Sequence, residues 1–469
     1  MKIKKEILII FILGIFIRII PLFLYTTNNL IHYDDANNLF FSKVFNFKLF
    51  YPNAQSEKGA EPLFFWYLKI IQFFTQSVVL IKLTIIFMSV ITSIYFYKMA
   101  INLFNKKTAL TGLFLLTFNP SWILINHLLW RINLQIMFIS FCFYFLSKYF
   151  KKTNNLKDII TSCFFLFLSI LTYTSSIPVI ITVFFIFFFH YNKKPFRKKS
   201  FLIYFTLLFL LTTPFLFQRI KNKEQFNAIT FNLNPSKFNI FTVENKELNI
   251  FKLKNLFGLP LINTSTIITN FICIFYNFTI LILSTYFAIL KKNKILISFL
   301  IILIPFIFFL NLTFYNTFSL LFILHAIPIK ISKKIFFSLF SISLFSVFFY
   351  HAGFWRCFGL KEASDFLIEK NYDNTFIDEQ MDTFFLFYIG NKVTLTLPNY
   401  PIKGYNTIFI IKNGKQAIPY PLNKGKCWSY VSWANGLPDN VLSSFNEFNL
   451  VKTIYYNNIP IICIYEFCA

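Results

Sequence analysis

Two adjacent carboxylates, Asp34 and Asp35, stand in the stretch Asn29-Leu30-Ile31-His32-Tyr33-Asp34-Asp35-Ala36-Asn37-Asn38, about ten residues after the first apolar run. They are conspicuous because the chain carries 19 acidic residues against 45 Lys and Arg. Like charges side by side oppose each other's ionisation. Such a pair needs something to offset the repulsion: a cation, a proton to accept, or the positive end of a helix. A placed carboxylate can act as a general base on a hydroxyl. Two carboxylates can also supply oxygen ligands to a hard divalent cation, for which Asp34 and Asp35 are the candidates. The residues from Ala36 to Phe50 have helical character, so capping of a helix N-terminus is the alternative account of the pair.

More polar chemistry follows in the same segment. The helix around Asn37–Phe45 is amphipathic and too short and polar to span a bilayer, which suits the membrane interface. Next comes Glu57-Lys58-Gly59-Ala60-Glu61-Pro62-Leu63-Phe64-Phe65-Trp66-Tyr67. Lys58 and Glu61 are charged candidates there, Pro62 suits the first position of a helix, and Trp66 and Tyr67 suit the headgroup layer. A third constellation is Asn119-Pro120-Ser121-Trp122 with His127, Trp130, Arg131 and Asn133. His127 and Arg131 are four apart and would share a face of one helix. Arg131 offers a planar fork suited to phosphate, or it snorkels from a span end to the interface. His127 is a further candidate for binding substrate or phosphate, or it packs or hydrogen-bonds structurally.

The elements that must position these groups are membrane spans. Of the 469 residues 56% are hydrophobic, 70 are Phe and only 14% are charged, against about 25% charged in ordinary soluble domains. Apolar runs of about 18 residues or more recur along the chain. They predict spans near 6–25, 78–104, 108–126, 131–149, 159–174, 176–191, 201–218, 266–290, 295–311, 313–330 and 335–353. The first is expected to be retained, because it contains Arg18 and no small-residue cleavage site follows. The net charge of +26 is spread over short links such as Lys106-Lys107, Lys151-Lys152, Arg197-Lys198-Lys199 and Lys333-Lys334. That distribution excludes a nucleic-acid face and fits the positive-inside rule. Eleven alternating spans with a cytoplasmic N-terminus put all these links inside. They place loops 26–77 and 219–262, and the region 354–469, outside the cell membrane.

The expected domains are therefore 1–353, embedded in the bilayer, and 354–469, a small extracytoplasmic α/β domain. In the latter, Lys361–Glu369 reads as an amphipathic helix, and 374–378, 405–411 and 459–465 read as strands. Cys357, Cys427, Cys463 and Cys468 fall here, and disulfides are possible in an oxidising compartment; the spacing does not say which pair.

The chain resembles the lipid-linked-sugar-dependent glycosyltransferases of the GT-C fold, in the protein O-mannosyltransferase and aminoarabinose-transferase branch. The resemblance rests on four features. They are His32-Tyr33-Asp34-Asp35 before an interfacial helix, Glu61-Pro62-Leu63-Phe64-Phe65, Pro120 with Arg131-Ile132-Asn133, and the terminal domain opening at Leu360-Lys361-Glu362. The chain departs from the pattern at Asp35, where Glu is commoner, at Asn133, where Asp is usual, and at His127, where a basic residue often stands. His325 stands where an Arg-Tyr often precedes a Pro like Pro328.

The resemblance implies transfer of a monosaccharide from a polyprenyl-phosphate sugar to a hydroxyl acceptor, with inversion. Asp34 would be the base and Asp35 and Glu61 would orient the acceptor or hold a divalent cation. Arg131 and Lys58 would steady the departing phosphate. No other cofactor is implied. Two other classes compete. A lipid or oligosaccharide transporter would favour ionisable groups near the midplane and paired broken helices. A polysaccharide polymerase or ligase would use a long late loop such as 219–262.

Overall fold

The computed structural model describes residues 2–26, 33–44, 62–153, 155–173, 176–191, 196–221, 267–290, 297, 300–301, 322–327, 332–352, 359–371, 374–377, 393–395, 427–433, 449–456 and 459–468. The chain divides into two compact units. One comprises Met1–Phe23 with Phe45–Gly353, the other Leu24–Val44 with Phe354–Ala469. The segment bearing Asp34 and Asp35 thus groups with the C-terminal region, whereas the sequence assigns it to a loop of the 1–353 domain.

The first unit is helical. Its helices are α1 (Lys2–Thr26), α3 (Pro62–Phe74), α4 (Val78–Leu103), α5 (Lys106–Thr117), α6 (Pro120–Asn126), α7 (Arg131–Lys148), α8 (Leu156–Thr172), α9 (Ile177–Tyr191), α10 (Phe196–Lys221), α11 (Ile267–Leu290) and α12 (Lys333–Ala352). Their starts follow from short polar links. The Asn105 side chain accepts from Thr108 N at 2.9 Å and Asn155 from Lys157 N at 3.0 Å, each satisfying an amide that the first turn leaves open. α7 packs on both α4 and α8. Phe141, Phe145 and Phe165 interlock between α7 and α8, with ring centroids 4.8 Å apart for Phe141–Phe165 and 5.9 Å for Phe145–Phe165.

The outward faces are as apolar as the inward ones. Phe87, Phe209, Phe217 and Phe271 are each about two-thirds exposed, an arrangement that water would not tolerate but lipid does. Val78–Leu103, Arg131–Lys151 and Phe271–Leu290 are each long and apolar enough to cross a bilayer. This is a polytopic helical membrane protein. The expected spans 295–311 and 313–330 lie largely outside the described residues, as do loop 219–262 beyond residue 221 and residues 45–61, which carry Lys58 and Glu61.

The expected span 108–126 is apolar enough to cross a bilayer as a whole, but it is broken. It is two helices, α5 and α6, bent by 58°. Pro120 has no N–H to continue α5, and Asn119 caps α6 by accepting from Trp122 N at 3.2 Å. Gly112, on α5, allows a close approach: a Cβ there would lie 3.0 Å from both Ala326 Cα and His325 O.

The second unit contains α2 (Tyr33–Val44) and α13 (Leu360–Lys370) with five strands: β1 (Asn374–Ile377), β2 (Val393–Leu395), β3 (Cys427–Trp433), β4 (Asn449–Tyr456) and β5 (Ile459–Cys468). The sheet order is β2-β1-β3-β5-β4, with β1 parallel to β2 and β3, and β5 antiparallel to β3 and β4. α13 leaves a left-handed Gly359 (φ 80°) and buries Leu360, Ala363 and Leu367 at helical spacing. Lys452 on β4 pairs with Glu362 at 3.1 Å and lies 5.0 Å from the Phe366 ring, tying helix to sheet. The expected strand 405–411 lies outside the described residues. β2, β3 and β4 were not expected.

Candidate functional site

Asp34 and Asp35 are the second and third residues of α2. The expected helix began at Ala36, so the structure moves both carboxylates inside its first turn, where the helix dipole favours negative charge. Asp35, Asn38, Leu39 and Ser42 are all buried at i, i+3, i+4 and i+7, the spacing of one helix face. Asp35 therefore belongs to the packed stripe of α2. The Asp34 side chain lies outside the described residues. Among the described residues no group of three His, Cys, Asp or Glu side chains forms a metal site. The two Asp positions supply the oxygen donors that a hard cation prefers.

Arg131 is the first residue of α7. Its guanidinium carbon lies 5.6 Å from the Phe65 ring centroid on α3 and 5.5 Å from that of Tyr173, just past α8. Two aromatic faces thus hold the cation in place. Phe65 can do this because α3 begins at Pro62 and buries Phe64, Phe65 and Leu68, while the Tyr67 hydroxyl is hydrogen-bonded to Thr84 on α4. The residue ahead of α7, Trp130, gives the helix no side-chain cap. An uncapped helix N-terminus and a fixed guanidinium both favour an anion.

The four-residue spacing predicts a shared helix face for His127 and Arg131, but the structure separates them. α6 ends at Asn126 and α7 starts at Arg131, so His127–Trp130 form a buried turn. His127 caps α6, its N–H bonding Leu124 O at 3.0 Å. Pro120 and Trp122 are buried in the same short helix.

Two polar clusters were not legible as such. In the first, Arg18 on α1 is buried and donates from Nε to Asn126 Oδ1 (2.8 Å) and from one terminal nitrogen to Gly14 O (2.8 Å) and Thr117 O (3.1 Å). Asn126 Nδ2 then donates to Asn133 Oδ1 at 2.7 Å, and Asn133 Nδ2 to the carbonyls of Ile125 and Leu128 at 3.0 Å and of Trp130 at 3.2 Å. Asn133, marked in the sequence as a departure from an acidic residue, is here a donor to three carbonyls. A carboxylate could not play that part. The second cluster lies at the α5–α6 bend. Asn119 Nδ2 donates to Asn277 Oδ1 on α11 and to His325 Nε2, both at 2.9 Å. Nε2 must then accept, which puts the ring proton on Nδ1, 3.1 Å from Phe322 O. His325 is committed to packing at the bend.

The model of the family dolichyl-phosphate-mannose-protein mannosyltransferase matches residues 58–217, the segment that contains Phe65, His127, Arg131 and Tyr173. No curated protein matches the chain. Among solved structures, the chain is similar to ArnT from Cupriavidus metallidurans bound to undecaprenyl phosphate. The TM-score is 0.60 at 11% identity, over 98% of this chain and 97% of that one. The apo form of the same protein gives 0.56 at 11% identity, over 92% and 93%. The Archaeoglobus fulgidus oligosaccharyltransferase in its apo form gives 0.51 at 12% identity over 83% of this chain, which spans 64% of that protein's length. The chain has the fold of ArnT.

Proposed function

We propose that this protein transfers a monosaccharide from a polyprenyl-phosphate sugar to a hydroxyl acceptor on the outer face of the cell membrane, with inversion at the anomeric carbon. The observation that carries the reading is Arg131, held between Phe65 and Tyr173 at the uncapped N-terminus of α7. It lies in the segment matched by the mannosyltransferase family model. The likeness to an ArnT bound to undecaprenyl phosphate supports the class of donor.

In this reading the acceptor oxygen attacks the anomeric carbon as its bond to the phosphate oxygen breaks. The bonding pair leaves with the phosphate, and the hydroxyl proton goes to Asp34. The base contributes about 10²–10⁴-fold. Negative charge grows on the departing phosphate, where Arg131 and Lys58 stabilise it because they are in place before the bond breaks. Asp35 and Glu61 orient the acceptor, or with Asp34 hold a divalent cation that would supply positive charge. His127 stays structural. The eleven-span topology, with loop 26–77 and region 354–469 outside, puts Asp34 on the side where an extracytoplasmic acceptor arrives.

The test is turnover of an undecaprenyl-phosphate sugar by Asp34→Asn, matched to wild type in abundance. Retention of near-normal transfer would remove Asp34 as the base.

A further inference from the structure

We propose that Arg18 is a positioning residue for the phosphate-binding turn, acting through a one-way chain of amide hydrogen bonds; this rests on the reading of Arg131 given above. Arg18 is 3% exposed and, among the described residues, makes its hydrogen bonds to neutral oxygens only. A buried cation in a membrane helix is costly. An anchor between α1 and α6 could be made more cheaply by Ser, Asn or close packing. What Arg supplies, and Ser or Asn would not, is that it donates and never accepts.

That property sets a direction. Arg18 Nε–H obliges Asn126 to turn Oδ1 toward it. Asn126 Nδ2 then faces Asn133 and obliges that residue to turn its own Oδ1 back. Asn133 Nδ2 is left facing Ile125 O, Leu128 O and Trp130 O, the carbonyls that close the turn between α6 and α7. Reversing any link would set oxygen against oxygen. The second donor arm of Arg18, to Thr117 O, holds the last residue of α5. One guanidinium therefore fixes both sides of the α5–α6 bend and the turn that delivers Arg131. Gly14 makes the approach possible, since a Cβ there would overlap Thr117 Cγ2.

Asn126→Asp separates this role from simple anchoring. It gives Arg18 a carboxylate partner, so the α1–α6 contact is kept or strengthened. It also removes the Nδ2 donor, so Asn133 must rotate to find a partner and loses its bonds to the turn. Hydrogen exchange of residues 127–131 and binding of undecaprenyl phosphate would be measured on the purified full chain. The variants are Asn126→Asp, Arg18→Met, Arg18→Lys and Arg131→Ala. Positioning predicts, for Asn126→Asp, an unchanged or higher Tm, faster exchange in 127–131 and about tenfold weaker binding, the size of one broken buried hydrogen bond. Arg18→Met should behave alike in exchange and binding, and Arg18→Lys should recover part of the loss. Wild-type exchange in Asn126→Asp overturns the proposal. So does wild-type binding in that variant while Arg131→Ala binds weakly. Unchanged binding in Arg131→Ala would instead refute the phosphate role, with exchange in 127–131 still deciding whether Arg18 orders the turn.

Discussion

The guanidinium of Arg131 lies 5.6 Å from the ring of Phe65, so the first residue of one membrane helix is fixed by the second turn of another far earlier in the chain. Tyr173 flanks the same group at 5.5 Å. A charged side chain at a helix end would otherwise roam through several rotamers. The rings hold it where the amides of α7 also attract an anion.

Replacing Arg131 by Ala should therefore weaken use of the lipid-phosphate donor by at least about tenfold, the scale of one charge-assisted contact. Arg131→Lys should recover only part, because an ammonium lacks the planar fork and stacks poorly. The dependence of rate on donor concentration reads this directly. An unchanged dependence in Arg131→Ala would count against the phosphate role.

Asp34→Asn keeps the shape of the first turn of α2 and removes the proton acceptor. Loss of about 10²–10⁴-fold in turnover is expected, with donor binding little changed. The split between the two is the check: a defect confined to donor affinity would assign Asp34 to binding instead.

Gly112 tests the packing around the bend. A Cβ at this position would sit 3.0 Å from His325 O and Ala326 Cα and 3.2 Å from Phe96 Cε1. Gly112→Val should destabilise the first unit by about 1–3 kcal/mol, as overpacking does. A lower Tm in detergent would report it, and wild-type stability would mean that segment 325–326 can move away freely.

The sheet register places Cys427 opposite Cys468 on β3 and β5, whereas Cys463 faces Ser432 and Thr453. Directly opposed antiparallel residues have Cα atoms about 4.5–5.5 Å apart, within the disulfide range. On the proposed outward orientation, an oxidising compartment should join these two thiols. Non-reducing alkylation of intact membranes followed by peptide mass analysis should find 427 and 468 linked and 463 as a free thiol. Separate alkylation of 427 and 468 would contradict either the pairing or the orientation.

Much of the helical framework was legible because apolar runs and polar links alternate at the length a bilayer demands. Pro62 announced α3, and the span near 78–104 coincides with α4. The bend at Asn119-Pro120 was written in the sequence as a capping residue followed by Pro, but unbroken apolar flanks hid it. That bend is also why the i, i+4 spacing of His127 and Arg131 misled. The Arg18–Asn126–Asn133 chain was not legible, since hydrogen bonds across 108 positions leave no periodic trace. Strand β3 was missed because Cys427–Trp433 does not alternate strictly between apolar and polar residues, although Gly425 and Asn435-Gly436 punctuate its two ends.

The most direct test of the account is to incubate the purified protein with a panel of undecaprenyl-phosphate monosaccharides and a hydroxyl acceptor, and to measure free undecaprenyl phosphate. The account predicts release with at least one sugar, matched mole for mole by sugar on the acceptor and abolished in Asp34→Asn. Movement of intact lipid-linked sugar across the bilayer with no cleavage of the sugar–phosphate bond would contradict it.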